Sequence, residues 1–198
     1  MTSGPTLEGE LICLRPLRSS DRDALWEAAQ DPVTSRLTGL VPAATRELFD
    51  AWASRLADRS DRVDFAITTP TCDDLIGHAV LTQIDENAGR ADMRMSMLPG
   101  FRGRGYGREA VFRILELAFA GRPEGFGLHR VGLVVLALNP RAKELYESFG
   151  FKEEGVLRDY ARDDERYTDG IVMSLLADEF QPDAAIYAPR LSAPRGAQ

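Results

Sequence analysis

The sequence predicts a mixed α/β domain in which about four helices flank a largely antiparallel sheet of about seven strands. Three observations predict it. Met93-Arg94-Met95-Ser96-Met97-Leu98-Pro99 alternates like a strand, Arg102-Gly103-Arg104-Gly105-Tyr106-Gly107 is a glycine loop, and the apolar run from Ala110 to Phe119 reads as a helix, in direct succession. Upstream, strand-like segments near Val63–Thr69, Leu75–Ile84 and Arg90–Leu98 follow one another as an antiparallel meander, the last two joined by the turn-forming Asp85-Glu86-Asn87-Ala88-Gly89. Downstream, a strand at Arg130–Leu138, a helix at Arg141–Phe149 and two more strands near Phe151–Asp159 and Tyr167–Leu176 complete the pattern.

The remaining elements lie ahead of the meander. A first strand is expected near Glu10–Pro16, and a helix opens at Ser20-Asp21, where an acidic first turn suits the N-terminus. Asp31-Pro32 ends that helix, because the residue before a proline is pushed away from helical backbone. A second helix follows Val41-Pro42-Ala43-Ala44-Thr45; Leu48, Trp52, Arg55 and Leu56 recur at helical spacing, which predicts an inward-facing stripe.

With 198 residues and 44% hydrophobic content the chain can bury one good core, and no repeat or long linker divides it. Its apolar stretches are too short and too charged to span a bilayer, and the N-terminus lacks the basic and apolar regions of a secretory signal, so a cytoplasmic protein is expected. Cys13 and Cys72 lack the spacing of a metal knuckle and read as reduced thiols. His78 and His129 are far apart and lack carboxylate spacing, so no metal site is expected.

The glycine loop predicts a phosphate cradle. Glycines at alternate positions let the backbone take unusual dihedrals close to a ligand, while the free N–H groups opening the next helix point at an anion. Arg102, Arg104 and Arg108 add positive charge in a chain of net charge −7, so the cluster is local and points to a specific polyanion rather than to nucleic acid or a membrane surface. A nucleotide P-loop would need Lys and Ser or Thr after its last glycine, and Gly107 is followed by Arg108-Glu109. Gly105-x-Gly107-x-x-Ala110 matches a loose dinucleotide fingerprint, but the next strand ends in Ala137-Leu138-Asn139 instead of a ribose-binding acid.

A second constellation runs from Asn139-Pro140-Arg141-Ala142-Lys143-Glu144-Leu145-Tyr146 through Phe149-Gly150-Phe151 to Gly155. Together with Arg102-x-x-Gly105-x-Gly107 it resembles the acetyl-coenzyme A site of the GNAT superfamily of N-acetyltransferases. The opening Leu11-Ile12-Cys13-Leu14-Arg15-Pro16-Leu17 and the ending Gly155-Val156-Leu157-Arg158 with Asp169–Leu176 resemble the ribosomal-protein-alanine (RimJ/RimL-like) branch. The resemblance implies a GNAT domain over residues 7–179, with a sheet splayed at its centre, and a Pro/Ala-rich tail over 180–198, mobile or reaching to a neighbour.

It also implies direct acetyl transfer from acetyl-CoA to a primary amine through a tetrahedral intermediate, with a protein N-terminal α-amino group or a small-molecule amine as acceptor. Backbone amides of Gly103, Arg104, Gly105, Tyr106, Gly107 and Arg108, with Arg102, would hold the pyrophosphate. The edge at Met97 and Leu98 would pair with the pantetheine arm, and the Asn139 side chain would add a further contact. Tyr146, two helical turns after Asn139, would protonate the departing thiolate, whose thiol pKa is about 8.5.

Asp92 matches a family position often held by glutamate and would take the proton of the amine; alternatively it pairs with Arg94 on the same strand face. Trp26 and Trp52 read as core or cleft wall, and Arg158–Arg166 as a solvated hairpin end that could touch acceptor or partner. Exposed sheet edges leave a homodimer open. The rivals from other classes are a non-catalytic acyl-CoA-binding module and a dinucleotide-binding oxidoreductase.

Overall fold

Among the described residues, one eight-stranded sheet organises the molecule. The computed structural model describes residues 4–40, 45–56 and 59–182. The strands are β1 (Leu7–Glu8), β2 (Cys13–Pro16), β3 (Arg62–Thr69), β4 (Cys72–Asp85), β5 (Arg90–Met97), β6 (Arg130–Leu136), β7 (Lys152–Asp163) and β8 (Arg166–Leu176). The helices are α1 (Arg22–Gln30), α2 (Pro32–Thr38), α3 (Arg46–Leu56), α4 (Tyr106–Phe119) and α5 (Pro140–Glu147). Across the sheet the strands run in the order β1-β2-β3-β4-β5-β6-β8-β7, and all pairings are antiparallel except β5 with β6. The meander, the glycine loop between β5 and α4, and the closing strands stand where the sequence places them.

Two elements escaped the sequence. β1 has two residues, too few to carry a period. Asp31-Pro32 does end α1, but Asp31 also caps α2 through its side chain, with Pro32 in the first turn, where a missing N–H costs nothing. One expectation about α3 is corrected: Leu48 and Trp52 are exposed, and among the helix's described side chains Phe49 is the buried one, packed edge-on to Trp26 with ring centroids 5.4 Å apart. The helix therefore turns a different face inward than the spacing suggested.

The core lies between the sheet and α4, with Ile12, Phe65, Leu81, Met93, Ile114 and Leu175 among its fully enclosed side chains. Phe180 extends it by packing on Phe112 and Phe119. Residues 183–198, most of the expected tail, lie outside the described residues. A fully buried acid, Glu109, ties the start of α4 to the β1–β2 connection by accepting from the amides of Glu10 (2.5 Å), Leu11 (2.7 Å) and Ile12 (3.2 Å).

Candidate active site

The sheet opens where β5 leaves β6. The two strands pair only at Arg90 with Arg130, Ala91 with Val131 and Asp92 with Gly132. Beyond that apex β5 runs on to Met97 and β6 to Leu136 without pairing, which leaves a V-shaped gap whose β5 edge has no strand partner. Met97 ends that edge, and the Leu98 amide turns the other way, to the carbonyl of Ile76 at 2.9 Å.

The glycine loop follows at once. Gly100, Gly103 and Gly105 have φ of 84°, 82° and 89°, a left-handed backbone that disfavours any side chain, and nothing lies within 4 Å of where a Cβ on Gly100 would stand. Gly107 is helical and serves differently: a Cβ there would press on Met95 Cε at 3.2 Å, so glycine lets α4 sit close against β5. Gly105 caps α4 with no side chain, and the Glu109 amide is the first to bond back, at 3.1 Å to the Gly105 carbonyl. Among the described residues the amides of Gly103 to Gly107 donate to no protein acceptor, which suits an anion at the helix N-terminus.

The predicted side chains divide. Arg104 lies over Phe101 and Arg108 over Phe149, with guanidinium carbons 5.8 Å and 5.4 Å from the ring centroids. Arg102 instead braces α2: it donates to the Met97 carbonyl (3.0 Å), Thr34 Oγ1 (2.7 Å) and Asp31 (3.2 Å). Asn139 caps α5 by accepting from the Ala142 amide (3.2 Å), and its Nδ2 donates to the Leu37 carbonyl (3.2 Å). A residue outside the predicted set, Arg141, reaches the loop, its Nη2 only 2.8 Å from the position of a Cβ on Gly103. A cation in the first turn of a helix opposes the macrodipole, and that was the sequence signal for it.

At the apex, the Asp92 carboxylate accepts from Gln83 Nε2 at 2.7 Å, while its other oxygen lies 2.7 Å from where a Cβ on Gly132 would be. Gln83 reaches it from an irregularity in β4 where φ is 54°. Its bond is with Gln83 rather than Arg94, which is exposed. Tyr146 on α5 is 7% exposed, with its ring 5.6 Å from that of Phe151. Burial pushes its hydroxyl up to about 12. That hydroxyl has no hydrogen-bond partner among the described residues and is not among the atoms sealed from solvent.

The arrangement suits a polyanionic cosubstrate: free amides and open space for a pyrophosphate, cations beside them, a strand edge with no strand partner for an amide-bearing arm, and an acid at the apex. The sequence profile of the acetyltransferase (GNAT) domain family matches residues 12–152, and the chain belongs to that family, whose members draw on acetyl-CoA. It is similar to p20 of Bacillus licheniformis, an uncharacterized N-acetyltransferase, at 27% identity over 179 residues, 88% of this chain and 98% of p20. It is also similar to the spermidine N(1)-acetyltransferase of Vibrio cholerae, 32% identical over 106 residues, 54% of this chain and 59% of that enzyme. The solved spermidine N-acetyltransferase of Vibrio cholerae in complex with CoA and spermine shares the fold, with a TM-score of 0.77 at 24% identity over 86% of this chain and 98% of that one. These relatives place the chain in the family without favouring the ribosomal-protein-alanine branch.

Proposed function

We propose that this acetyltransferase moves the acetyl group of acetyl-CoA directly onto a primary amine, of a small molecule or of a protein N-terminus. The observation that carries this reading is the gap between β5 and β6, with free loop amides at its mouth and Asp92 at its apex. The open β5 edge suits the amides of pantetheine, as a peptide adds to a sheet. The loop amides with Arg104, Arg108 and Arg141 suit the phosphates, while Arg102 and Asn139 hold α2 and α5 in place around them.

In this reading Tyr146 donates its proton to sulfur as the C–S bond breaks, and Asp92, directly or through water, takes the proton the amine loses as the C–N bond forms. The products are an amide and a free thiol, and Tyr146 recovers its proton through its opening to solvent. No covalent acyl-enzyme is needed. The spermidine relatives support a small amine, and the resemblance of the two chain ends supports an α-amino group; both belong to one acceptor class.

The test is thiol release from acetyl-CoA in the presence of spermidine, a peptide with a free N-terminus and simple alkylamines, with the product mass checked for one added acetyl. The expected result is amine-dependent release that Tyr146→Phe slows. Binding of coenzyme A with no acetylation of any amine would leave a binding module instead.

A further inference from the structure

Val134 is the exposed member of an otherwise enclosed strand: β6 reads partly buried at Arg130, buried from Val131 to Leu133, 40% exposed at Val134, and buried again at Val135 and Leu136. An open valine in an interior strand means that a space lies above it. Directly paired residues share a sheet face, so Asp92, Gly132, Val134, Leu136 and Gly170 all face the same side. Val134 stands two residues past the apex, roughly 7 Å along β6, on the lip of the gap.

That space has a built wall. Between Leu157–Gly170 and Ala161–Thr168 the register shifts, so β7 carries extra residues that bulge. Asp159 in the bulge has φ of 54°, sparsely used by residues other than glycine, and is held there because its amide donates to Asp169 Oδ1 at 2.9 Å. Bulges re-aim side chains beside functional sites, and this one turns Tyr160 inward. A Cβ on Gly170 would lie 2.8 Å from Tyr160 Cδ1 and Cγ and 2.9 Å from Val134 Cγ1. Gly170 is therefore the floor between a valine and a tyrosine ring, and Tyr160 is itself 46% exposed.

The far end is closed by α2. Arg36 forms a two-point ion pair with Asp163 (2.7 and 3.1 Å), and Gly39 lies against Ala161 and Leu136. The pocket is thus bounded by α2, the β7–β8 hairpin and β6, and it opens toward Asp92. We infer that Val134, Gly170 and Tyr160 hold the substituent next to the acceptor's amine, and that the preferred acceptor carries a compact apolar group there, an arylalkylamine or an amine of the leucinamide type, rather than a polyamine. A second ammonium group placed on this floor, between Val134, Gly170 and the Tyr160 ring, would lose hydration against apolar surface, since Asp163 at the far end is engaged by Arg36 and Asp169 by the Asp159 amide, whereas an aliphatic or aromatic group gains by burial.

This narrows the acceptor of the proposed reaction and rests on that reading. Steady-state kcat/KM would be measured for phenethylamine, leucinamide, glycinamide and spermidine, in the native chain and in Tyr160→Ala and Gly170→Ala. The expected order places phenethylamine or leucinamide at least about tenfold above glycinamide and spermidine, since one or two apolar groups in a fitted pocket discriminate by that much. Tyr160→Ala, a change at a half-exposed ring, should remove most of that advantage through acceptor KM while the KM of acetyl-CoA stays unchanged. Gly170→Ala, which pushes on both walls, should do the same. Spermidine or glycinamide as the better substrate, or a preference unaltered by Tyr160→Ala, would overturn the pocket and leave amine acetylation standing. Failure of every amine would overturn both.

Discussion

Tyr146 illustrates how position sets chemistry at the scale of one residue. A free tyrosine ionises near pH 10, but burial penalises the phenolate, so this hydroxyl keeps its proton up to about 12. The sign follows: the neutral folded form contributes stability in full below pH 10, and that contribution is lost as pH rises through about 12. As the proposed acid, such a tyrosine gives no falling limb of kcat near pH 10. Tyr146→Phe should cut kcat by roughly 10²- to 10⁴-fold, the usual worth of a positioned acid, with the KM of acetyl-CoA nearly unchanged. A limb centred near 10 in the native profile that vanishes in the phenylalanine variant would show that this tyrosine does not stay protonated as argued.

At Gly105 the backbone decides, because φ of 89° excludes a branched side chain. Gly105→Val should abolish coenzyme A binding by calorimetry; tight binding by a folded valine variant would sink the cradle. Both residues were legible in the sequence through their motifs. Arg141 is marked in the sequence only as an unfavourable cation in the first turn of α5; its place beside Gly103 depends on how α5 lies against the loop, a tertiary fact that no spacing contains.

Among the elements, α4 depends on an acid that no motif in the sequence marks. Glu109 stands fully buried in the first turn of the helix and gathers three amides from the chain between β1 and β2, whose Leu11 in turn lies 3.3 Å from where a Cβ on Gly105 would be. Burial pushes its carboxyl up against the pull of those donors and of Arg113. Truncating it leaves the buried Ile12 amide and the part-buried amides of Glu10 and Leu11 without their acceptor, at about 1–3 kcal/mol for each that water cannot reach. Glu109→Ala should therefore lower Tm, at about 2–4 °C per kcal/mol for a chain of this size, and speed hydrogen exchange at Glu10, Leu11 and Ile12. A Tm within a degree of the native value with unchanged exchange would mean that the strap does not need this anchor.

Elements with a clear period or a turn signature were readable: the meander, α4 and the closing strands. Others were not, for physical reasons. Asp31-Pro32 satisfies the rules for stopping a helix and for starting one at the same time, so the sequence shows a break where α2 begins. The bulge that aims Tyr160 depends on a cross-strand bond from Asp159 to Asp169, invisible in a run that reads as solvated charge.

For the whole molecule, the question is whether the assembled site selects the ligand that its parts suggest. A ligand bound only by the folded chain stabilises it by RT ln(1 + [L]/Kd), about 2.7 kcal/mol at a hundredfold excess over Kd. At 198 residues that corresponds to roughly 5–11 °C in Tm. Acetyl-CoA and coenzyme A should each give such a rise and NAD should not, because the cradle offers free amides and arginines for a pyrophosphate while β6 leads to Asn139, a helix cap, where a dinucleotide would need an acid for its ribose. The same titration at low and high salt adds a second reading. The chain carries net charge −7, yet Arg104 and Arg141 stand at the loop without carboxylate partners among the described residues. If that local field holds the anion, coenzyme A affinity should fall as salt rises although the protein as a whole repels it. A coenzyme A shift indifferent to salt would place the binding energy in the backbone amides and the strand edge alone, and a shift with NAD in place of coenzyme A would remove the acetyl donor from this site.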